Sequence, residues 1–195
     1  MRALHFCWLV GLPLGLGACV AEADPEIAPD LAPGDLVVTE LRGAQTGADD
    51  SGQFVELFNA SGGALDLRGL VLELYKLDGS SNARVIVRTP LEVAAGGYVV
   101  LGPGSTFAQL PYVNYAMGND LATDVYSAGA VDVSARGVQI DRVVYSLPTT
   151  GSYSLGLVPP TADGNDVASA WCTDVATDDA DRAIGSPGLE NTPCE

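Results

Sequence analysis

The feature that most constrains the fold of this chain is a series of short runs rich in β-branched and aromatic residues, separated by clusters of Gly, Pro, Asp, Asn and Ser. Turn clusters such as 47–52, 61–63 and 78–82 bound these runs, and this spacing is typical of strands joined by turns. No stretch keeps the apolar period of a long helix, so we predict an all-β sandwich, with closure into a barrel as the alternative. The predicted strands are 36–42, 53–59, 69–76, 84–89, 97–102, 130–134, 138–146 and 152–158.

The composition supports a packed domain with an acidic surface. Of the 195 residues, 47% are hydrophobic, which is enough for a sizeable core. Twenty-five acidic residues against nine basic ones give a formal charge of −16. Such a surface repels phosphate groups, so we predict no nucleic-acid partner. The acidity favours either solubility or an affinity for cations.

The first 18 residues have the order of a secretory signal peptide. Arg2 precedes an apolar run from 3 to 16, and small residues end the segment. The run contains Pro13 and is too short for a confident membrane-spanning helix. We therefore predict that residues 1–18 direct export and are then removed.

The end of this segment, Leu16-Gly17-Ala18-Cys19, resembles a bacterial lipobox. The resemblance implies that Cys19 receives diacylglycerol and anchors the chain to a membrane, because two or more acyl chains give durable attachment. Val20 follows instead of an acidic residue, which favours the outer membrane of the cell envelope. The alternative is an ordinary signal-peptidase cut that leaves a secreted chain beginning at Asp24. Residues 19–33, rich in Pro and acidic residues, are predicted to form a solvated tether.

Two of the four cysteines are left for the domain that follows. Cys7 lies in the predicted signal peptide, and Cys19 is the predicted lipid site. In an oxidising compartment the remaining pair, Cys172 and Cys194, is predicted to form a disulfide that stabilises the fold by about 3 kcal/mol. Zinc binding is the alternative, but two thiols without a histidine make a poor zinc site.

Several of the predicted strands carry motifs in a family-specific order. Residues 53–70, Gln-Phe-Val-Glu-Leu-Phe-Asn-Ala-Ser-Gly-Gly-Ala-Leu-Asp-Leu-Arg-Gly-Leu, resemble the signature of lamin tail domains, with Leu70 where Trp is usual. Residues 36–41 are similar to the opening strand of that family, and residues 91–102 and 131–145 to its later strands. The resemblance implies an immunoglobulin-like β-sandwich over residues 34–158. It also implies a binding or interaction module, without fixing one function.

The remaining segment, residues 159–195, is richer in Asp, Gly and Pro. Its Trp171-Cys172 pair and residues 185–194 resemble the C-terminal ends of exported bacterial relatives of the lamin tail. We predict a covering flap that the disulfide pins to the domain, with Trp171 packed on the sandwich.

The processed chain lacks histidine, because the only one, His5, lies in the predicted signal peptide. Without imidazole, a Ser-His or Cys-His nucleophile and a usual catalytic zinc site are excluded. Ser152 and Ser154 stand in Gly-Ser-Tyr-Ser-Leu-Gly, which does not fit the nucleophile elbow of hydrolases. We therefore predict that the chain is not an enzyme.

Carboxylates are the catalytic option that remains. Glu40 and Glu56 lie in apolar predicted strands, and strand pairing could bring them together as a glycosidase needs. Since Glu56 belongs to the strand pattern of the lamin tail, we favour carboxylates that accept hydrogen bonds within the fold. A carboxylate-based hydrolase of extracellular polymers is the less favoured alternative.

Acidic loops raise the alternative of a calcium-dependent adhesin, since calcium prefers several oxygen ligands from flexible loops. None of the loops has the spacing of an EF-hand, and we favour charge that keeps the surface soluble. We predict a non-catalytic, envelope-anchored binding or structural module whose ligand is a protein or a glycan. The candidate calcium ligands are Asp49-Asp50, Asn119-Asp120 with Asp124, Asp163 with Asp166, and residues 174–181.

Overall fold

The computed structural model describes residues 27–47, 52–102, 110–121, 125–177 and 184–194. Within these ranges the regular structure is mostly β-strand, with a single α-helical turn, α1, at Ala162–Asn165 and short 3-10 turns at Gly118–Asp120 and Ala168–Ala170. In chain order the strands are β1 Leu36–Arg42, β2 Phe54–Asn59, β3 Leu65–Asp66, β4 Val71–Tyr75, β5 Asn82–Ile86, β6 Glu92–Val93, β7 Tyr98–Gly102, β8 Tyr115–Ala116, β9 Ala128–Ala135, β10 Val138–Ser146, β11 Ser152–Leu155 and β12 Trp171–Asp174.

Two sheets carry the fold. The larger one has six strands in the order β12-β11-β1-β2-β7-β8, and the smaller one has four in the order β10-β9-β4-β5. Neighbouring strands are antiparallel except β7 and β8. A further pair, β3 with β6, forms a two-stranded ribbon. The prediction of an all-β sandwich is confirmed.

The core lies between the two sheets. Leu41 and Leu57 from the larger sheet and Leu72, Leu74 and Val133 from the smaller one are completely buried in one cluster. Burying one such leucine stabilises a fold by about 2 kcal/mol. Leu70 is also completely buried in this cluster.

Strands β1 and β2 are buried on both faces. Every residue of both strands is buried, although alternate side chains of a strand point to opposite sides of a sheet. The inward side chains enter the core, and the outward set includes Glu40, Arg42 and Glu56. Something must therefore cover the outer face of the larger sheet at its centre.

The long strands agree with the predicted bounds better than the short strands do. The bounds of β1 and β10 agree with the predicted 36–42 and 138–146. The strand predicted at 84–89 instead occupies 82–86, because it pairs with β4 from Tyr75↔Asn82 to Val71↔Ile86. The sequence did not predict the two-residue strands β3, β6 and β8, nor β12 in the C-terminal segment.

The N-terminal boundary of the domain also differs from the prediction. Residues 19–33 were expected to be a solvated tether, but Ala28 and Leu31 are only 1% and 7% exposed. Leu31 belongs to the core cluster, so the ordered domain begins by Ala28. The predicted signal peptide, 1–18, and the lipid site, Cys19, lie outside the described residues. None of the described helices has the length and apolar character needed to cross a membrane.

Candidate functional site

The two predicted carboxylates meet on the outer face of the larger sheet. Glu40 on β1 and Glu56 on β2 are direct cross-strand partners, so their side chains lie on the same face. A register irregularity between Val38 and Glu40 also turns the Thr39 side chain toward Glu56. Both glutamates are completely buried.

Glu40 is held by donors from two other segments. Its Oε1 accepts hydrogen bonds from the Ser152 hydroxyl, from the Ser154 hydroxyl at 3.0 Å and from the Ser186 amide at 3.1 Å. Both serines belong to β11, and Ser154 is the cross-strand partner of Glu40. The second oxygen, Oε2, is buried without a hydrogen-bond partner, so no donor stabilises a negative charge on it.

Glu56 is held in a parallel manner. Its Oε1 accepts from the Thr39 hydroxyl at 2.7 Å, and its Oε2 accepts from the Gly188 amide at 2.6 Å. Glu40 therefore receives two hydroxyls from a neighbouring strand and Glu56 receives one, and each accepts one backbone amide from the C-terminal segment.

That C-terminal segment, residues 184–191, is the cover of the larger sheet, and we call it the strap. Gly185 has a φ of 87°, and a Cβ at this position would collide with Oε1 of Glu40. Asn191 donates to the carbonyls of Thr39 at 2.8 Å and Leu155 at 3.2 Å. The strap thus supplies the hydrogen bonds that these buried polar groups would otherwise receive from a neighbouring strand or from solvent.

Covalent and polar contacts close the strap at its end. The predicted disulfide between Cys172 and Cys194 is confirmed, which removes the zinc alternative. Ser186 donates its hydroxyl to Asp174 at 2.6 Å, next to the bridge on β12. Trp171 is buried in the core and stacks on Tyr153, with the ring centres 4.8 Å apart. The prediction that Trp171 packs on the sandwich is confirmed.

Burial dominates the electrostatics of this glutamate pair. Desolvation raises the pKa of Glu40 to about 7, even though the hydrogen bonds from its serine donors lower this pKa. Desolvation, followed by the charge of Glu40, raises the pKa of Glu56 well above its usual value. Burial and the charges of Glu56 and Glu190 raise the pKa of Tyr98 to about 12. Arg42, the next residue on this face of β1, donates to the carbonyl of Gly52.

These contacts decide what the pair can do chemically. A glycosidase carboxyl must reach the scissile bond, and the nucleophile or base must reach the sugar ring. Here, the strap separates both carboxyls from solvent, and each is bound to donors of the same chain. The arrangement is suited to fixing the strap on the sheet.

A separate cleft of about 480 Å³ lies beside the start of β1 and has an acidic lining. Its deepest carboxyl, Asp141, accepts from the Val38 amide at 2.6 Å and from Asn165 at 2.7 Å. Burial raises the pKa of Asp141. Asp163 and Asp166 on or beside α1 line the same cleft, and neither Glu40 nor Glu56 does.

The candidate calcium ligands are dispersed. Asp120 binds Arg88 and accepts from the Ile86 amide, and Asp174 accepts from the Ala176 amide and Ser186. Within the described parts of the chain, no three acidic, cysteine or histidine side chains are grouped so that they could hold a metal ion. Asp49-Asp50, Asp124 and residues 178–181 lie outside the described residues.

No family model matches the chain, and comparison with curated proteins gives no match. The lamin tail resemblance therefore depends on the motifs of residues 36–158 and stays a prediction. Sequence reasoning identified Glu40, Glu56 and the cysteine pair. It did not identify the donors Ser186, Gly188 and Asn191, although the Gly-Ser-Pro-Gly pattern at 185–188 marks a tight turn that exposes backbone amides.

Proposed function

We propose that this chain is an exported, lipid-anchored and non-catalytic β-sandwich of the lamin tail type. It serves as a binding or structural module at a bacterial envelope, and a protein or a glycan is its partner. The observation that carries the non-catalytic part is the buried state of Glu40 and Glu56. The processed chain, without His5, has no imidazole for acid-base chemistry, and this carboxylate pair holds the strap.

The sequence supports the location of the module. A charged start, an apolar run and a lipobox-like end precede Cys19, and an acidic, Pro-rich segment follows it. The disulfide between Cys172 and Cys194 fits an oxidising compartment outside the cytoplasm. The first feature favours attachment to a membrane, and the second favours a location outside the cytoplasm.

The location is tested with the full-length chain expressed in a bacterial host. We expect the processed protein in the membrane fraction, with an intact mass that begins at Cys19 and includes acyl groups. The Cys19→Ser variant is expected to leave the membrane fraction, and Cys7→Ser is the matched control that does not. A chain that begins at Asp24 without lipid would refute the anchor.

The non-catalytic part is tested with the processed protein and a panel of envelope and extracellular polysaccharides and peptides. We expect no product above the level given by the Glu40→Gln/Glu56→Gln double variant. Turnover that this double replacement abolishes, while circular dichroism shows an intact fold, would refute the proposal.

A further inference from the structure

The cleft beside the start of β1 is lined by segments that are distant in the chain. They precede β1, follow β2, run along β10 and surround α1, and the lining residues fall at 33–34, 60, 139–142 and 160–166. The Gly34 amide donates to the Ile140 carbonyl at 2.8 Å, which joins the segment before β1 to β10. The volume of about 480 Å³ is within the usual range of small-molecule sites.

Three carboxylates line this cleft. Asp141 is buried, whereas Asp163 and Asp166 are exposed. The helical turn α1 brings Asp163 and Asp166 to one side, since residues three apart on a helix are neighbours. Burial, and after it the charge of Asp166, raises the pKa of Asp141, so these two carboxylates lie close enough to act on each other.

The lining supplies little positive charge to balance these carboxylates. Among the described lining residues, Arg142 is the one basic residue. It follows Asp141 on β10, so its side chain points to the opposite face of the strand. On that face its Nε lies 3.5 Å from Asp132, and its guanidinium lies over the ring of Tyr75. Within the described lining, no basic side chain is therefore directed at the three carboxylates.

A buried acceptor next to Asp141 lacks a donor. Asn165, the last residue of α1, is 3% exposed, and its Nδ2 donates to Oδ2 of Asp141 at 2.7 Å. In the described structure its Oδ1 is buried without a hydrogen-bond partner. A buried acceptor in this state costs free energy unless a donor reaches it. Because Oδ1 and Nδ2 belong to one amide group, the unpaired oxygen lies close to the Asp141 carboxylate.

These features select the chemical class of the ligand. Within the described parts of the chain, no three acidic side chains are grouped so that they could hold a metal ion. An ammonium group carries a positive charge and three N–H donors, which suits a carboxylate next to an unpaired acceptor. The methylene groups of an aliphatic amine can pack on the apolar part of the lining, which consists of Pro33, Ala60, Ile140, Pro160 and Ala162.

We propose that this cleft binds an aliphatic polyamine, with one ammonium group at Asp141 and Asn165 and the others at Asp163 and Asp166. A ligand with several spaced positive charges matches carboxylates that are too dispersed for one metal ion. It also relieves the mutual repulsion of the three negative charges. The polyamine is a ligand in addition to the protein or glycan partner proposed above, and its binding does not depend on the lipid anchor.

Isothermal titration calorimetry of the processed protein with spermidine, a triamine, tests the proposal at low ionic strength. We expect saturable binding of one spermidine per chain and weaker binding of butylamine, which has a single ammonium group. The Asp163→Asn/Asp166→Asn double variant removes two exposed charges of the lining, and we expect it to bind spermidine about tenfold more weakly. The absence of saturable binding to the wild type would overturn the proposal.

A matched double variant separates the cleft from the acidic surface as a whole. Glu73→Gln/Asp78→Asn also removes two exposed charges, but neither residue lines the cleft. We expect this control to keep the wild-type affinity for spermidine. Equal weakening in the two double variants would mean a general attraction to the acidic surface and would overturn the site. Calcium at matched ionic strength probes a metal instead: calcium that binds more tightly than spermidine and depends on Asp163 and Asp166 would overturn the choice of an amine.

Amide chemical shifts of the wild type locate the bound ligand without any substitution. We expect spermidine to shift the backbone amides of Gly34 and Asp141 and the side-chain amide of Asn165. The amide of Leu77, in the turn after β4, is expected to stay in place. Shifts that are largest outside the lining segments would overturn the site, even if calorimetry shows binding.

Discussion

Raising the pH should destabilise this protein through its buried glutamate pair. Glu40 and Glu56 are adjacent and completely buried. The other ionisable groups that the described structure shows acting on them, Asp174 and Tyr98, are themselves acidic. Two adjacent negative charges are costly at this burial. The folded protein therefore keeps protons on this pair to a higher pH than the unfolded chain does.

The sign and the size follow from linkage. The pKa of Glu40 is raised from 4.5 to about 7 in the folded state. Its contribution to stability is fully present below pH 4.5 and is lost as the pH rises to about 7. A difference of this size corresponds to about 3 kcal/mol in the free energy of unfolding. Glu56 acts in the same direction and extends the decline to higher pH.

Urea denaturation from about pH 5 to about pH 8.5 measures this effect. Glu40→Gln removes the negative charge, and its amide oxygen can accept from the same three donors. We expect the stability of the variant relative to the wild type to increase by about 3 kcal/mol from the acidic to the alkaline end. Glu73→Gln, on the outer face of the smaller sheet, is the half-exposed control that keeps the wild-type slope. A wild-type stability that stays constant or increases with pH would refute the reasoning.

Three further perturbations test the strap and the core by urea or thermal denaturation. Replacing both cysteines, Cys172→Ser and Cys194→Ser, should lower the free energy of unfolding by about 3 kcal/mol, because the disulfide closes a loop of 22 residues. Asn191→Ala should cost about 2 kcal/mol because it leaves the buried Thr39 carbonyl without its donor, and the exposed Asn82→Ala should cost little. Leu70→Ala should lower the free energy of unfolding by about 3 kcal/mol, because it leaves a cavity in the core. For each of the three perturbations, a loss below half of the stated value would contradict the assigned contacts.

Local patterns predicted the long elements of the fold, and pairing decided the rest. The alternation along 138–146 marks β10 because its outward side chains stay in solvent. β3 and β6 have two residues each and exist because Leu65 pairs with Val93 and Asp66 with Glu92. No local pattern of that length distinguishes a strand from a turn.

The candidate site was predictable in its side chains and not in its backbone. Glu40 and Glu56 stand out as carboxylates in apolar strands, and pairing of β1 with β2 follows from their order in the chain. The amides of Ser186 and Gly188 that complete the site lie 146 and 132 residues away from their glutamates. Any residue type except proline offers such a donor, so residue identity does not reveal it. Residues 19–33 likewise have the composition of a solvated segment. The space beside Gly69 that accepts Ala28 exists only in the folded chain, so composition does not reveal it.

The burial of two carboxylates has a consequence for where a partner can bind. The strap covers the outer face of the larger sheet at β1 and β2. The outer face of the smaller sheet stays uncovered in the described structure, where Arg142, Asp132, Glu73 and Arg84 form one cross-strand row. Two acidic side chains between two basic ones keep such a face in water, since desolvating these charges costs more than the ion pairs return. A partner is therefore expected to bind the module elsewhere than on the outer face of the smaller sheet.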